Sequence, residues 1–343
     1  MRQLSKYAFA NAKVRALLSF LLKQDEFSRL LDVKDLHELL EALKNTSYKD
    51  IISALNIENP DLALLEKELS KNNLNIYRKV YDSLPGKNER SFVWLLMQRY
   101  ELEELKLALR FWHKKEVSGI DNYLLGEKIS FDIDFNKIIS AHTIEDIISL
   151  LGDTPYKKPI LKARDKFKNS GSLFFIETSL SLDYYERLLA LSHRLSLVDR
   201  KVAQKILGIE IDSENISWLI KGIKYYSLDK AQMLDWIIPG GERIAKKRIE
   251  GFHTINDLSK ITESLAIGPY TRIKDLAESS IHLIESFLYE ILLREVKRAL
   301  SSFPFTIGTI FGYLILKQRE IKNIISLIYV KRYNLKKEEL KIC

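Results

Sequence analysis

Six histidines, His37, His113, His142, His193, His253 and His282, are the first place to look for a metal site or a proton relay. A metal held on a helix needs two ligands at i and i+4 on one face, and no two of these histidines have that spacing. His142 and His253 each open the same short motif, His-Thr-Ile-x-Asp, 111 residues apart. Duplication of a helix start explains them better than metal binding does. The only cysteine, Cys343, is the last residue. One thiol makes neither an internal disulfide nor a Cys-based zinc site. It also lacks the three following residues that prenylation requires.

Other reactive patterns are missing as well. There is no Gly-x-x-x-x-Gly-Lys-Ser/Thr to cradle phosphates and no Gly-x-Ser-x-Gly nucleophile elbow. Pro239-Gly240-Gly241 reads as a turn. The paired acids Glu103-Glu104 and Glu338-Glu339 lie in charged helical context and read as solvated faces. Tyr184-Tyr185 and Tyr225-Tyr226, near Lys221 and Lys224, are of a type that stacks nucleic-acid bases. The competing reading puts one ring of each pair in the core, and it is preferred. No catalytic, cofactor-binding or metal-binding residue is expected, and no single interaction residue is assigned.

The elements that must position any site are helical. The chain has 343 residues, 46% of them hydrophobic and 29% charged, with 13 glycines and 7 prolines. Breakers are scarce, and Leu, Ile, Lys and Glu abound, which favours an all-α protein. The longest apolar stretch, 303–316, is interrupted by Pro304, Gly308 and Gly312 and is too short to span a bilayer. Lys13 and Arg15 interrupt the first apolar segment, so no signal peptide is expected and the chain reads as cytoplasmic. The net charge of +8 concentrates at Lys157–Lys168 and Lys317–Lys341, two basic patches suited to nucleic acid, acidic headgroups or an acidic partner.

A pattern recurs three times. Phe27-Ser-Arg-Leu-Leu leads to Thr46-Ser47-Tyr48-Lys49, and 108 residues later Phe135-Asn-Lys-Ile-Ile leads to Thr154-Pro155-Tyr156-Lys157. Between them Leu36, Leu39, Leu40 and Leu43 align with Ile144, Ile147, Ile148 and Leu151, the i, i+3, i+4, i+7 stripe of one helix face. A third copy runs through Leu258, Ile261 and Leu265 to Gly268-Pro269-Tyr270. Asp35-x-x-Glu38, Thr143-x-x-Asp146 and Thr254-x-x-Asp257 read as capping boxes at the three helix starts. Late in each copy come Glu101-Leu-Glu-Glu-Leu105, Asp212-Ser-Glu-Asn-Ile216 and Glu320-Ile-Lys-Asn-Ile324. Gly126-Glu-Lys-Ile129 and Gly241-Glu-Arg-Ile244 match at the joins. The period is too long for a helical solenoid repeat. The reading is three similar helical subdomains, 1–122, 123–236 and 237–343, in a pseudo-threefold body.

Particular residues add a resemblance. Tyr7-Ala-Phe-Ala-Asn-Ala-Lys-Val-Arg-Ala16, the join Ile237-Ile-Pro-Gly-Gly241, and the series Phe303-Pro-Phe-Thr-Ile-Gly308, Gly312-Tyr-Leu314 and Gln318-Arg-Glu-Ile-Lys-Asn-Ile324 are similar in order and spacing to the C subunit of the V/A-type rotary ATPases. The eukaryotic vacuolar ATPase calls its counterpart the d subunit. The similarity runs from about Tyr7 to Leu340. It departs at Tyr329-Val-Lys-Arg-Tyr-Asn334, where the family usually carries a Gly-Lys pair.

The resemblance implies an all-helical, funnel-shaped fold and a non-catalytic central-stalk rotor subunit with no cofactor and no small-molecule substrate. Its implied partners are the central shaft subunits of D and F type and the membrane proteolipid ring. It would lie peripherally on the cytoplasmic side of the cell membrane, passing torque between ATP turnover and H+ or Na+ transport. The alternative from charge alone is a basic helical nucleic-acid-binding scaffold.

Overall fold

A computed structural model describes residues 2–116, 119–226, 228–252, 257–276 and 281–335. Among the described residues there is no strand, and the fold is all-α. Helix α1 (Arg2–Leu18) precedes a run of three short helices and two long ones: α2 (Gln24–Asp32), α3 (Leu36–Leu43), α4 (Lys49–Ser53), α5 (Leu62–Ser83) and α6 (Lys87–Lys114). The next run is α7 (Phe135–Ile139), α8 (Ile144–Leu150), α9 (Lys157–Ser170), α10 (Phe174–Ser192) and α11 (Leu197–Tyr226). The last comprises α12 (Lys230–Leu234), α13 (Lys246–Glu250), α14 (Leu258–Leu265), a 3-10 segment Gly268–Leu276, α15 (Ile281–Ser301) and α16 (Ile307–Tyr333).

The short helices begin where the caps place them. Thr143 Oγ1 accepts from Asp146 N at 3.2 Å, and the Asp146 carboxylate accepts from Thr143 N at 2.8 Å, a reciprocal capping box worth about 1 kcal/mol. The first copy differs in one bond. Asp35 caps Glu38 N, while Glu38 turns back to Lys34 N instead of Asp35 N. In the third copy Asp257 is itself the cap of α14, accepting from Ser259 N and Lys260 N. The expected partner Thr254, with His253, lies outside the described residues. The apolar stripes are core: Leu36, Leu39, Leu40 and Leu43 are buried, as are Ile144, Ile147, Ile148 and Leu151.

The packing of the long helices runs forward along the chain and then returns. Helix α6 packs against α7 and α10 of the next run, α11 against α14 and α15, and α16 against α3 and α5 of the first run. At that return Ile321, Ile324, Leu327 and Ile328 of α16 share a core with Leu39, Leu40, Leu43, Ile52, Leu65 and Leu69. Burying those four α16 side chains contributes on the order of 6–12 kcal/mol, an upper value because an unfolded chain already hides part of this surface. Helix α1 bridges the starts of two long helices. Lys6 pairs with Glu89 at 2.5 Å and lies 3.6 Å from Asp199, both deeply buried.

The apolar stretch 303–316 is core. Helix α16 is buried along most of its length, and no helix among the described residues is long and apolar enough to cross a membrane. Gly308 is required there: a methyl at that position would stand 2.3 Å from Val202 Cγ1 on α11.

Candidate docking interior and its buried latches

The late acids and the tyrosines, two separate sets of matches along the sequence, meet in space. Glu101 on α6 accepts from Tyr156 OH at 2.9 Å and from Ser130 N and Phe131 N at 2.7 and 2.9 Å. Asp212 on α11 accepts from Tyr270 OH, Arg243 N and Ile244 N, each at 2.8 Å. Glu320 on α16 accepts from Tyr48 OH and, at 2.6 Å, from Leu22 N. In all three cases a carboxylate on a long helix holds the loop and the tyrosine that follow it in the cycle, and the last of them reaches back to the first run.

The chemistry of these latches is structural. Each acid is nearly inaccessible, with Asp212 at 0%, Glu101 at 2% and Glu320 at 8%. An unpaired carboxylate there would be costly, and two or three donors offset the cost. Burial raises the Glu101 carboxyl, opposed by the Phe131 and Ser130 amides and the Tyr156 hydroxyl. Burial likewise lifts Asp212 to about 6, against the Ile244 amide and the Tyr270 hydroxyl. Tyr156 and Tyr270 are raised by burial and then by the facing carboxylate, so both stay protonated donors. The Asp212 latch also explains Pro239-Gly240-Gly241. Asn215 donates to Ile238 O and Ile244 O and accepts from Ile238 N, wrapping this turn onto α11. A methyl at Gly241 would lie 2.3 Å from Asp212 Oδ1.

A second set of polar side chains links α6, α10, α11 and α15, with Lys322 of α16 beside it. Arg99 pairs with Glu210 at 2.6 Å and donates to Tyr185 OH at 2.5 Å. Lys106 bridges Glu103 and Ser181 at 2.9 Å each. Arg110 grips Glu177 through two nitrogens at 2.6 and 3.0 Å, and Lys221 pairs with Glu285 at 2.9 Å. Glu103 keeps 56% of its side-chain surface accessible, yet burial strongly affects it. Lys106 and then Arg99 outweigh that burial and hold its carboxyl below the usual range. Lys322 is exposed as well, and burial followed by the Arg99 charge lowers its ammonium, against Glu103. Water thus reaches Glu103 and Lys322 although protein charges stand close around both. Because the cations here are paired with carboxylates, the set has little net charge and suits a polar, adaptable contact.

Several sequence expectations change. Glu104, read as solvated, is 7% exposed and accepts from Leu125 N at 2.5 Å. Burial pushes its carboxyl to about 7, against the Leu125 amide and helped by Glu101. The basic run Lys317–Lys341 is not one patch. Lys317 is 3% exposed, pairs with Glu320 at 2.7 Å and lies over the Tyr48 ring. Lys331 caps the end of α2 through Leu31 O and Val33 O. Residues 336–343, with Glu338-Glu339 and Cys343, lie outside the described residues. The Lys157–Lys168 run is on α9, where Lys166 pairs with Asp235, Lys168 with Glu145 and Arg164 with Asp165, while Lys158 and Lys162 are exposed.

Tyr184 and Tyr185 are both buried beside Arg99. Tyr225 and Tyr226 are both exposed, Tyr226 stacking on Phe174, so neither pair divides into one core ring and one rim ring as expected. His113 meets Gly171 O at 2.8 Å, and His37 approaches Glu58 at 3.9 Å. His142 and His193 are exposed; His253 and the side chain of His282 are outside the described set. Among the described residues no three His, Cys, Asp or Glu side chains gather in a way that would hold a metal.

Three carboxylate–tyrosine latches thus tie the runs of an all-α chain to one another, the last run to the first. Sequence similarity then supplies the family: the chain belongs to the ATP synthase (C/AC39) subunit family, whose model matches residues 10–341. It is 23% identical over 336 residues to the C subunit of the A-type ATP synthase of Thermococcus kodakarensis, covering 98% of this chain and 89% of that one. It is 24% identical over 342 residues to the protein of the same name from Archaeoglobus fulgidus, covering 97% and 94%. With that of Methanosarcina acetivorans the identity is 25% over 328 residues, covering 93% and 87%.

Proposed function

We propose that this chain is the non-catalytic rotor coupler of a V/A-type ATPase or ATP synthase. In this reading three helical units, 1–122, 123–236 and 237–343, form a pseudo-threefold funnel. The D- and F-type shaft subunits enter its charged recess, and the opposite end rests on the proteolipid ring at the cytoplasmic face of the membrane. Torque then passes through the protein between ATP turnover and H+ or Na+ movement, with no cofactor of its own.

The observation that carries the reading is the family match across 10–341, on a chain whose long helices carry paired, partly exposed charges. The physical fit is in the latches. A twisting load on α6, α11 or α16 pulls on a buried carboxylate with two or more donors instead of on a flexible loop. Breaking such a bond exposes a desolvated charge, so each joint is stiff.

The test is reconstitution of the shaft subunits with this chain and with Arg110→Glu/Lys322→Glu, two cations that water reaches. Reversing two cations of the recess should weaken shaft binding by about tenfold or more, since charge-assisted contacts carry roughly 1.5–3 kcal/mol each. Circular dichroism checks that the variant remains folded. Unchanged shaft binding by the folded variant would remove the recess as the docking site.

A further inference from the structure

A cavity outside the latches has the opposite electrostatic character to the recess. It holds about 550 Å³ between the start of the 3-10 segment and α15, and Thr271, Arg272, Phe287, Glu290, Arg294 and Lys297 are on its wall. Gly268 lines it too, with the Arg243 guanidinium pressed against that backbone: a methyl on Gly268 would stand 3.0 Å from Arg243 Cζ. Three cations, Arg272, Arg294 and Lys297, therefore line one concavity with one carboxylate, and Arg243, against the backbone of Gly268, is a fourth at its edge. Among the described residues Arg243, Arg272, Arg294 and Lys297 form no ion pair, whereas Arg99, Lys106, Arg110 and Lys221 in the recess each have a carboxylate partner.

From this contrast we propose that the cavity binds a multiply charged phosphate group. Cations that outnumber the carboxylates around them repel one another, and an anion of charge two or more relieves that repulsion. Three of the four cations are arginines, whose planar fork matches phosphate oxygens two at a time. Arg272 lies 5.2 Å from the Phe287 ring centre, so its guanidinium is already partly ordered and loses less freedom on binding. The volume falls in the range of small-molecule sites and exceeds what a bare phosphate needs. Glu290 is left to accept from a hydroxyl or amino group on the rest of the ligand. The site adjoins the Asp212 latch, because Arg243 N and the Tyr270 hydroxyl both end on that carboxylate. A bound phosphate that draws Arg243 and the Gly268–Thr271 turn together should stiffen that joint.

The experiment titrates inorganic pyrophosphate into the full chain at low salt, read by calorimetry. The expected result is saturable one-to-one binding, weakened about tenfold or more in Arg294→Ser/Lys297→Ser and kept within about twofold in Lys158→Ser/Lys162→Ser. The second variant removes the same charge from another exposed surface, and thermal melts without ligand check that both are folded. Absence of saturable binding overturns the proposal. So does equal weakening in both variants, which would mean general attraction to a basic chain, or no weakening in the first. A flotation arm with phosphatidylglycerol vesicles identifies the source. Vesicle binding that pyrophosphate displaces assigns the site to a lipid headgroup, and pyrophosphate binding without flotation assigns it to a soluble phosphate.

Discussion

The Tyr48 hydroxyl donates to the Glu320 carboxylate across 272 positions of sequence, and the Lys317 ammonium touches both, at 2.8 Å from the hydroxyl and 2.7 Å from the carboxylate. Tyr48 is buried to 0% exposure, and burial followed by Glu320 raises its pKa well above the usual tyrosine value, so it remains a donor. This bond ties the first run of helices to the last one. The two equivalent bonds, Tyr156 to Glu101 and Tyr270 to Asp212, tie neighbours in sequence.

Replacing any of these tyrosines with phenylalanine should cost about 1–3 kcal/mol, the value of a hydrogen bond to a buried charge. Tyr48→Phe should cost the most, because Lys317 loses an acceptor as well. Urea unfolding of the three variants measures this. Losses below about 0.5 kcal/mol would show that the carboxylates find other donors.

Gly241→Ala should destabilise by about 1–3 kcal/mol, because its methyl would overlap Asp212 Oδ1 and lie 2.9 Å from Ile244 O. Gly222→Ala on α11 is the control. Its methyl meets Leu228 Cδ1 at 3.4 Å, an ordinary contact, and an alanine in this last part of the helix should stabilise by about 0.5 kcal/mol. The pair is compared by thermal melting, and equal effects would refute the close approach at Gly241.

The acid Glu104 makes stability depend on pH in a particular direction. Its carboxyl is raised from 4.5 to about 7, so the folded chain binds a proton that the unfolded chain has released. The stability this confers is present below about pH 4.5 and is lost as pH rises through 7. Glu104→Gln keeps an acceptor for Leu125 N without the charge. Relative to the native chain it should therefore gain stability between about pH 5 and 8, by up to about 3 kcal/mol, since each tenfold change in proton affinity is worth roughly 1.36 kcal/mol. A flat difference across that range would contradict the burial argument.

In the recess, Arg99→Met leaves Glu210 at 12% side-chain exposure without its ion pair. The expected loss is about 3–5 kcal/mol. Arg99→Met/Glu210→Leu removes both charges and should recover part of that loss. A double-mutant cycle with no coupling would show that water screens the pair.

Much of this fold is legible in the residues. The stripes at Leu36–Leu43 and Ile144–Leu151 announce buried helix faces, and Thr143 with Asp146 announces a cap. Such signals are local, set by a spacing of three or four residues. The latches are not local. Glu101, Asp212 and Glu320 recur visibly, as do Tyr48, Tyr156 and Tyr270, but a recurring acid looks the same whether it faces water or a hydroxyl from another run. Glu104 and Lys317 mislead for the same reason: a charged residue among charged neighbours reads as surface until a backbone amide or a distant tyrosine is seen to satisfy it. The charged pairs bring together residues of α6, α10, α11 and α15, which pattern along one stretch of sequence does not encode.

The core shared by α16 with α3, α4 and α5 has a consequence for biosynthesis. Leu39, Leu40, Leu43, Ile52, Leu65 and Leu69 leave the ribosome early, while Ile321, Ile324, Leu327 and Ile328 leave near the end. At about 5–20 residues per second the nascent chain carries an uncovered greasy face for tens of seconds. Chaperone capture during translation is then the price of a body whose first and last helices complete each other.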